Sequence, residues 1–182
     1  MRTILLSLTA LLMAANLSLA QDKQHAYMGI KKCSMCHKGE PKGAIFEKWQ
    51  TTAHAKAFAN LADSAALETY KKKMGKDGNP QTDDACLKCH ITGFGITDTT
   101  LTAALVKEDG VTCEACHGPG ADYGKMNVMK DKTASVAAGM VADPKAGCVK
   151  CHNAESPNFK EFKFDESWAK IAHARPKLLP AP

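Results

Sequence analysis

Apolar and polar positions divide the chain into short helical stretches joined by long polar loops. The first apolar run, "ILLSLTALLMAA", is dense but short. Residues 44 to 73 are rich in Ala, Lys, Glu and Leu and contain neither Pro nor Gly, which predicts a helical region. Within it His54, Phe58 and Leu61 recur at i, i+4 and i+7, one stripe of a helix. "GKDGNPQTDD" then reads as a loop. A short helix is expected over 101 to 107 and another in "KTASVAAGM". "FKFDESWAKIAHARP" predicts a helix with Asp165 near its start and Pro176 beyond its end. The tail "PKLLPAP" reads as extended. Nowhere does the strict alternation of a half-buried strand appear, so the expected class is mainly α, with short helices, long loops and little or no sheet.

The amino terminus changes the picture. A basic start, Met1-Arg2-Thr3, precedes the apolar run, and "NLSLA" follows with Ser18 and Ala20 at signal-peptidase spacing. Residues 1–20 therefore read as a secretory signal peptide, cut after Ala20. A membrane anchor is the competing reading, but a span needs about 20 apolar residues. Residues 21–182 make a single domain, expected to be exported, periplasmic or extracellular, with no membrane insertion of the mature chain. The whole chain carries a formal charge of +5, which falls to +4 when Arg2 leaves. So modest a balance does not argue for nucleic acid, and "KKK" at 71 to 73 reads as a solvated helix face.

The cysteines carry the chemistry. All eight fall into four copies of one pattern: "CSMCH" at 33, "CLKCH" at 86, "CEACH" at 113 and "CVKCH" at 148. Cys-x-x-Cys-His is the attachment signature of c-type haem. Two thiols about one helical turn apart form thioethers to the two vinyl groups of one porphyrin. The next residue then sets an imidazole beneath the ring, where it can bind iron. Cys33, Cys36, Cys86, Cys89, Cys113, Cys116, Cys148 and Cys151 are thus the predicted covalent anchors. His37, His90, His117 and His152 are the proximal ligands, and the cofactor is heme c, four per chain. Zinc sites with four cysteine ligands would not require a histidine after every pair. Redox dithiols would need one motif, not four. The unequal spacings of 53, 27 and 35 exclude a solenoid repeat. With four porphyrins on one small domain, the fold is expected to be a haem-packed core and to depend on the cofactor.

Three further histidines remain in the mature chain: His25, His54 and His173. A lone histidine on an apolar helix face is most often a satisfied core residue. Here the core is expected to be haem, and "AHA" surrounds both His54 and His173. Flanking alanines remove bulk where a flat ring must approach, so both are candidate distal ligands.

The stretches "KKCSMCH", "TTAHAKA", "CLKCHITGFG", "VTCEACHGPG" and "FKFDE…AH" resemble the tetrahaem cytochrome c-554 family from about Lys31 to His173. These are exported electron carriers that take electrons from hydroxylamine oxidoreductase in ammonia-oxidising bacteria. The resemblance implies redox protein partners: a hydroxylamine oxidoreductase-like donor and a membrane quinone-linked cytochrome as acceptor. It implies that His54 pairs with His152 and His173 with His117, and that the second haem, on His90, is five-coordinate. In the family the first haem takes a distal histidine shortly after CHGPG. The corresponding "ADYGKMNVMKDK" contains none and offers Met126 and Met129 instead, with His25 as a further candidate. The segment between the last motif and FKFDE is also shorter here than in the family. Three functions follow: an electron carrier; an enzyme reducing nitric oxide or a similar small molecule at an open haem; or a subunit of a polymeric cytochrome wire, with His25 reaching a neighbouring protomer.

Overall fold

The computed structural model describes residues 23–174. The leader, the cut after Ala20, Pro176 and the extended tail all lie outside the described residues. Nine α-helices occur in the described residues: α1 (Ile30–His37), α2 (Ile45–Gln50), α3 (Ser64–Met74), α4 (Asp84–His90), α5 (Thr99–Thr102), α6 (Cys113–His117), α7 (Met126–Met129), α8 (Lys132–Ala137) and α9 (Phe164–Ile171). No strand occurs among the described residues, as the sequence pattern led us to expect. No described helix is long and apolar enough to cross a membrane.

The helical region expected over 44 to 73 is interrupted. α2 ends at Gln50, turns occupy most of 51 to 58, and α3 starts only at Ser64. Two threonines explain the break. Thr51 Oγ1 donates to the Lys48 carbonyl and Thr52 Oγ1 to the Trp49 carbonyl, each at 2.7 Å. Such hydroxyls compete for carbonyls that a continuing helix would use. The diverted backbone is held from outside: the His54 carbonyl accepts the Val111 N–H at 3.0 Å. Gly110 makes this approach possible, since a Cβ there would sit 2.8 Å from the same carbonyl oxygen. The stripe nonetheless buries its apolar members, because Phe58 and Leu61 pack with Leu87 of α4.

The helix expected over 101 to 107 lies earlier, as the single turn α5, capped by the Asp98 carboxylate. α8 and α9 form within their expected segments. α9 starts with Asp165 and Glu166 in its first turn, where the helix dipole favours negative charge.

Among the described residues few apolar side chains are buried: Ile30, Ile45, Ala57, Phe58, Leu61, Tyr70, Pro80, Leu87 and Tyr123. Large apolar residues within or beside the motifs, including Met35, Phe94 and Val149, are exposed. Polar pins supplement this small core. Buried Thr92 and Thr112 share a hydroxyl–hydroxyl bond at 3.0 Å, and Thr112 N–H donates to Thr92 Oγ1 at 2.8 Å. They fasten the loop after α4 to the start of α6.

Candidate functional site

Three Cys-x-x-Cys-His motifs lie on one-to-two-turn helices, α1, α4 and α6. The fourth begins on a 3-10 helix, Pro144–Lys150, and continues into a turn that carries Cys151 and His152. Local chemistry starts two of these elements. The Asp83 carboxylate accepts the Ala85 N–H at the head of α4. Asp143 accepts the Lys145 N–H, with Pro144 at the first helical position.

All eight cysteines are free thiols, whose sulfurs stand in for thioether sulfurs. The motifs meet through them. Cys33 lies beside Cys113, and Cys89 beside Cys151. Cys116 and Cys148 are close enough for their charges to interact. The contacts run in the order first, third, fourth, second. An ion pair from Lys88 to Glu155 reinforces the link between the second and fourth motifs. Among the described residues, no three His, Cys, Asp or Glu side chains converge as a metal-binding cluster, so the cysteine pairs do not assemble four-sulfur zinc cages.

The histidines form two ring pairs. His54 and His152 have ring centres 6.0 Å apart with planes at 71°. His117 and His173 have centres 6.0 Å apart with planes at 47°. Metal–imidazole bonds of about 2 Å on either side of one metal ion put ring centres about 6 Å apart. Both spacings therefore fit two imidazoles sharing one iron. Burial lowers the pKa of His54, and the nearby His152 lowers it further. His117 is lowered by burial, then by His173 and His37. His37 is lowered by burial, then by His173 and Lys42. Neutral imidazoles keep the lone pair that a metal needs.

The second ring nitrogens differ in their partners. His90 Nδ1 lies 2.6 Å from the Ala57 carbonyl, so the segment carrying His54 also orients His90. His37 Nδ1 is buried with no hydrogen-bond partner. His25 Nδ1 lies 2.8 Å from Asp122. Of the two methionines, Met126 is 67% exposed and Met129 half-buried, both on α7 against α8.

Sequence reasoning missed two residues. Phe162, the first residue of FKFDE, stacks on His152 with ring centres 4.8 Å apart and planes at 21°. Both line a cavity of about 350 Å³ together with Cys151 and Lys163. Glu114, inside the third motif, is buried and accepts backbone N–H groups of Met28, Gly29 and Gly120 at 2.9, 2.9 and 2.6 Å. A charged residue between two motif cysteines was the available signal, but nothing local named its partners.

Residues 32–118 match the family described as cytochrome c554 and c-prime. Cytochrome c-554 of Nitrosomonas europaea is 37% identical over 108 residues, 58% of this chain and 43% of that protein. The C-type polyheme cytochrome OmcC of Geobacter sulfurreducens is 34% identical over 89 residues, 42% of this chain and 11% of that protein. The chain thus covers less than half the length of either relative. A structure of reduced cytochrome c554 from Nitrosomonas europaea superposes with a TM-score of 0.55 at 28% identity, covering 82% of this chain and 79% of that one.

Proposed function

This chain belongs to the cytochrome c554 and c-prime family, and from that premise we propose that it is an exported, periplasmic tetrahaem c-type cytochrome that carries electrons between redox proteins. The observation that carries the reading is the pair of 6.0 Å ring spacings, His54 with His152 and His117 with His173. When bound, the haems supply a one-electron ferric/ferrous couple. The cysteines of each motif hold one porphyrin by two thioethers, and His37, His90, His117 and His152 bind iron from the motif side. His54 and His173 would hold the fourth and third haem irons from the side facing His152 and His117, which would leave no position there for a substrate. The chain's task at those sites is to hold ligands still, so that little reorganisation accompanies each electron.

The neighbouring cysteines give the motifs an order. Haems bound along the order first, third, fourth, second would form a relay across the molecule. The partners proposed from the family resemblance are a donor like hydroxylamine oxidoreductase and a membrane quinone-linked acceptor.

A second reading, reduction of nitric oxide or a similar small molecule, attaches to His90. A cavity of about 190 Å³, lined by Ile91, Thr92, Gly93 and Leu105, lies directly after that motif. Two measurements separate the readings. The intact mass of the mature protein is expected to show four haems. Mixing the reduced protein with nitric oxide is expected to give no rapid reoxidation, whereas an oxidised small redox protein restores the ferric spectrum. Fewer haems would sink the tetrahaem reading; fast turnover of nitric oxide would replace the carrier with the enzyme.

A further inference from the structure

His25 belongs to neither a motif nor a ring pair, yet the structure is built around it. Its side chain is 17% exposed. Nδ1 is tied at 2.8 Å to an Asp122 carboxylate oxygen, which also receives Lys23 Nζ at 2.7 Å. The ring lies on Gly139, whose φ is +99°, and a Cβ there would come within 2.7 Å of His25 Cδ2. The backbone that follows is fixed at each step. The Ala26 carbonyl accepts the Ala121 N–H at 3.0 Å, and Tyr27 N–H donates to the Leu101 carbonyl at 2.8 Å. Met28 and Gly29 donate to Glu114, and α1, with the first motif, begins one residue later. A histidine fixed by its tether, its ring nitrogen and a glycine under its face is not an incidental surface residue.

Its placement bears on the first haem. The first and third motifs are tied by Glu114, which accepts the N–H groups of Met28 and Gly29 at the head of α1. His37 lies near both members of the third motif's ring pair, His173 and His117. His25 is joined to the backbone beside His117. A Cβ on Gly118, the residue after His117, would lie 2.7 Å from the Gly139 carbonyl oxygen, and Val141 N–H donates to the His117 carbonyl at 2.9 Å. The strip 139–141 thus joins His25 to the backbone of the third motif, whose own ring pair is already complete.

We propose that His25 Nε2 is the sixth ligand of the haem held by Cys33, Cys36 and His37, with Asp122 as its positioning residue. This rests on the tetrahaem reading above. A ligating imidazole commonly gives its other N–H to a carboxylate, which fixes the tautomer and raises ligand basicity. With Nδ1–H donated to Asp122, the lone pair stands on Nε2. The loop after CHGPG, which lacks the ligand that the resemblance implies, supplies the carboxylate instead. Met126, two-thirds exposed on a single helical turn, has no comparable support.

The test uses the haem-loaded protein, with intact mass confirming four haems in every variant. Fewer than four in the wild type would be a failure of the tetrahaem reading, not of this one. In His25→Ala the number of haems that bind carbon monoxide in the reduced state is expected to rise by one. In Met126→Leu/Met129→Leu it is expected to stay at the wild-type number. Asp122→Asn is expected to leave that number unchanged and to raise the potential of one haem, a readout that a merely structural contact would not move. An unchanged carbon monoxide count in His25→Ala, a raised count in the methionine variant, or unmoved potentials in Asp122→Asn would each overturn the assignment. Should His25→Ala fail to load, the wild type decides by near-infrared magnetic circular dichroism. A methionine-to-iron charge-transfer band in the oxidised protein would overturn the proposal, and bis-histidine bands alone would sustain it.

Discussion

The Glu114 carboxylate, 2% exposed and set between two motif cysteines, accepts the Gly29 N–H at 2.9 Å. Gly29 is the residue before α1, so one side chain joins the first haem motif to the third across 85 residues of sequence. The same carboxylate also holds Met28 and Gly120. Removing it would leave three backbone donors without a partner. Glu114→Ala is therefore expected to destabilise the protein by about 3 kcal/mol or more. Glu114→Gln, which keeps one acceptor oxygen, should cost less. Denaturant titrations of the loaded protein check both, and equal midpoints for Glu114→Ala and wild type would contradict the role given to the residue.

The small polypeptide core makes a second expectation. Nine apolar side chains, Pro80 among them, are buried among the described residues, while Met35, Phe94 and Val149 stand exposed within or beside the motifs. Bound porphyrins would offer faces to cover them. A variant with all eight cysteines changed to alanine should lose most native helix content in far-ultraviolet circular dichroism, because the remaining core is too small to offset chain entropy. Native helicity in that variant would mean that the protein folds without its cofactor.

His54 and His173 can be tested by ligand exchange. Methionine opposite histidine favours the ferrous state, so His54→Met and His173→Met should each raise the potential of one haem. The shift should be on the order of 0.1 V. The two effects should fall on different haems, since the ring partners are His152 and His117. Spectroelectrochemical titration reads them separately. Potentials unmoved in both variants would return the two residues to ordinary core histidines.

Asp83 supplies a pH dependence. Lys76 above all, then the Tyr70 hydroxyl and the Ala85 amide, hold its carboxyl down from 3.8 to about 2. A depressed carboxyl contributes stability that is full above its unfolded value and is lost as pH falls through its folded one. The wild type should therefore exceed Asp83→Asn in stability at pH 5 to 7, with the gap closing between about pH 4 and pH 2. Melting both proteins across that range checks the sign. A gap that widened on acidification would mean that Asp83 is not held by these partners.

How far the sequence discloses this molecule depends on the range of the interaction. The haem motifs are legible because a covalent requirement fixes Cys-x-x-Cys-His at five consecutive positions, whereas the short helices α1, α4 and α6 that carry three of them are not among the expected elements. The absence of strands among the described residues follows from the missing alternation. His54 and His173 stood out through their flanking alanines and the family resemblance. What local pattern could not give is who meets whom. Asp122 finds His25 from 97 residues away, and nothing near either residue names the other. Phe162 looked like an ordinary residue at a helix entrance until it stacked on His152. The break after α2 had a local cause in Thr51 and Thr52, yet composition alone favoured a continuous helix there.

The second haem should have one open face. His90 is ordered on its own side, with Nδ1 at 2.6 Å from the Ala57 carbonyl, and it belongs to neither ring pair. Three histidines outside the motifs cannot fill four distal positions; His54 and His173 face His152 and His117, and His25 is held by Asp122 beside Gly139. The chain after His90 turns tightly through Gly93 and Gly95, both at positive φ, and presents Ile91 and Phe94 rather than a side chain able to bind iron. Thr92, the one hydroxyl in that turn, is already spent on Thr112 and Gly110. An unfilled axial position allows a high-spin iron, so the oxidised protein should show one high-spin and three low-spin haems by electron paramagnetic resonance. Carbon monoxide added to the reduced protein should bind one haem in four without denaturant. If every iron is low-spin and no carbon monoxide binds, the open face is wrong, and with it any chemistry at His90.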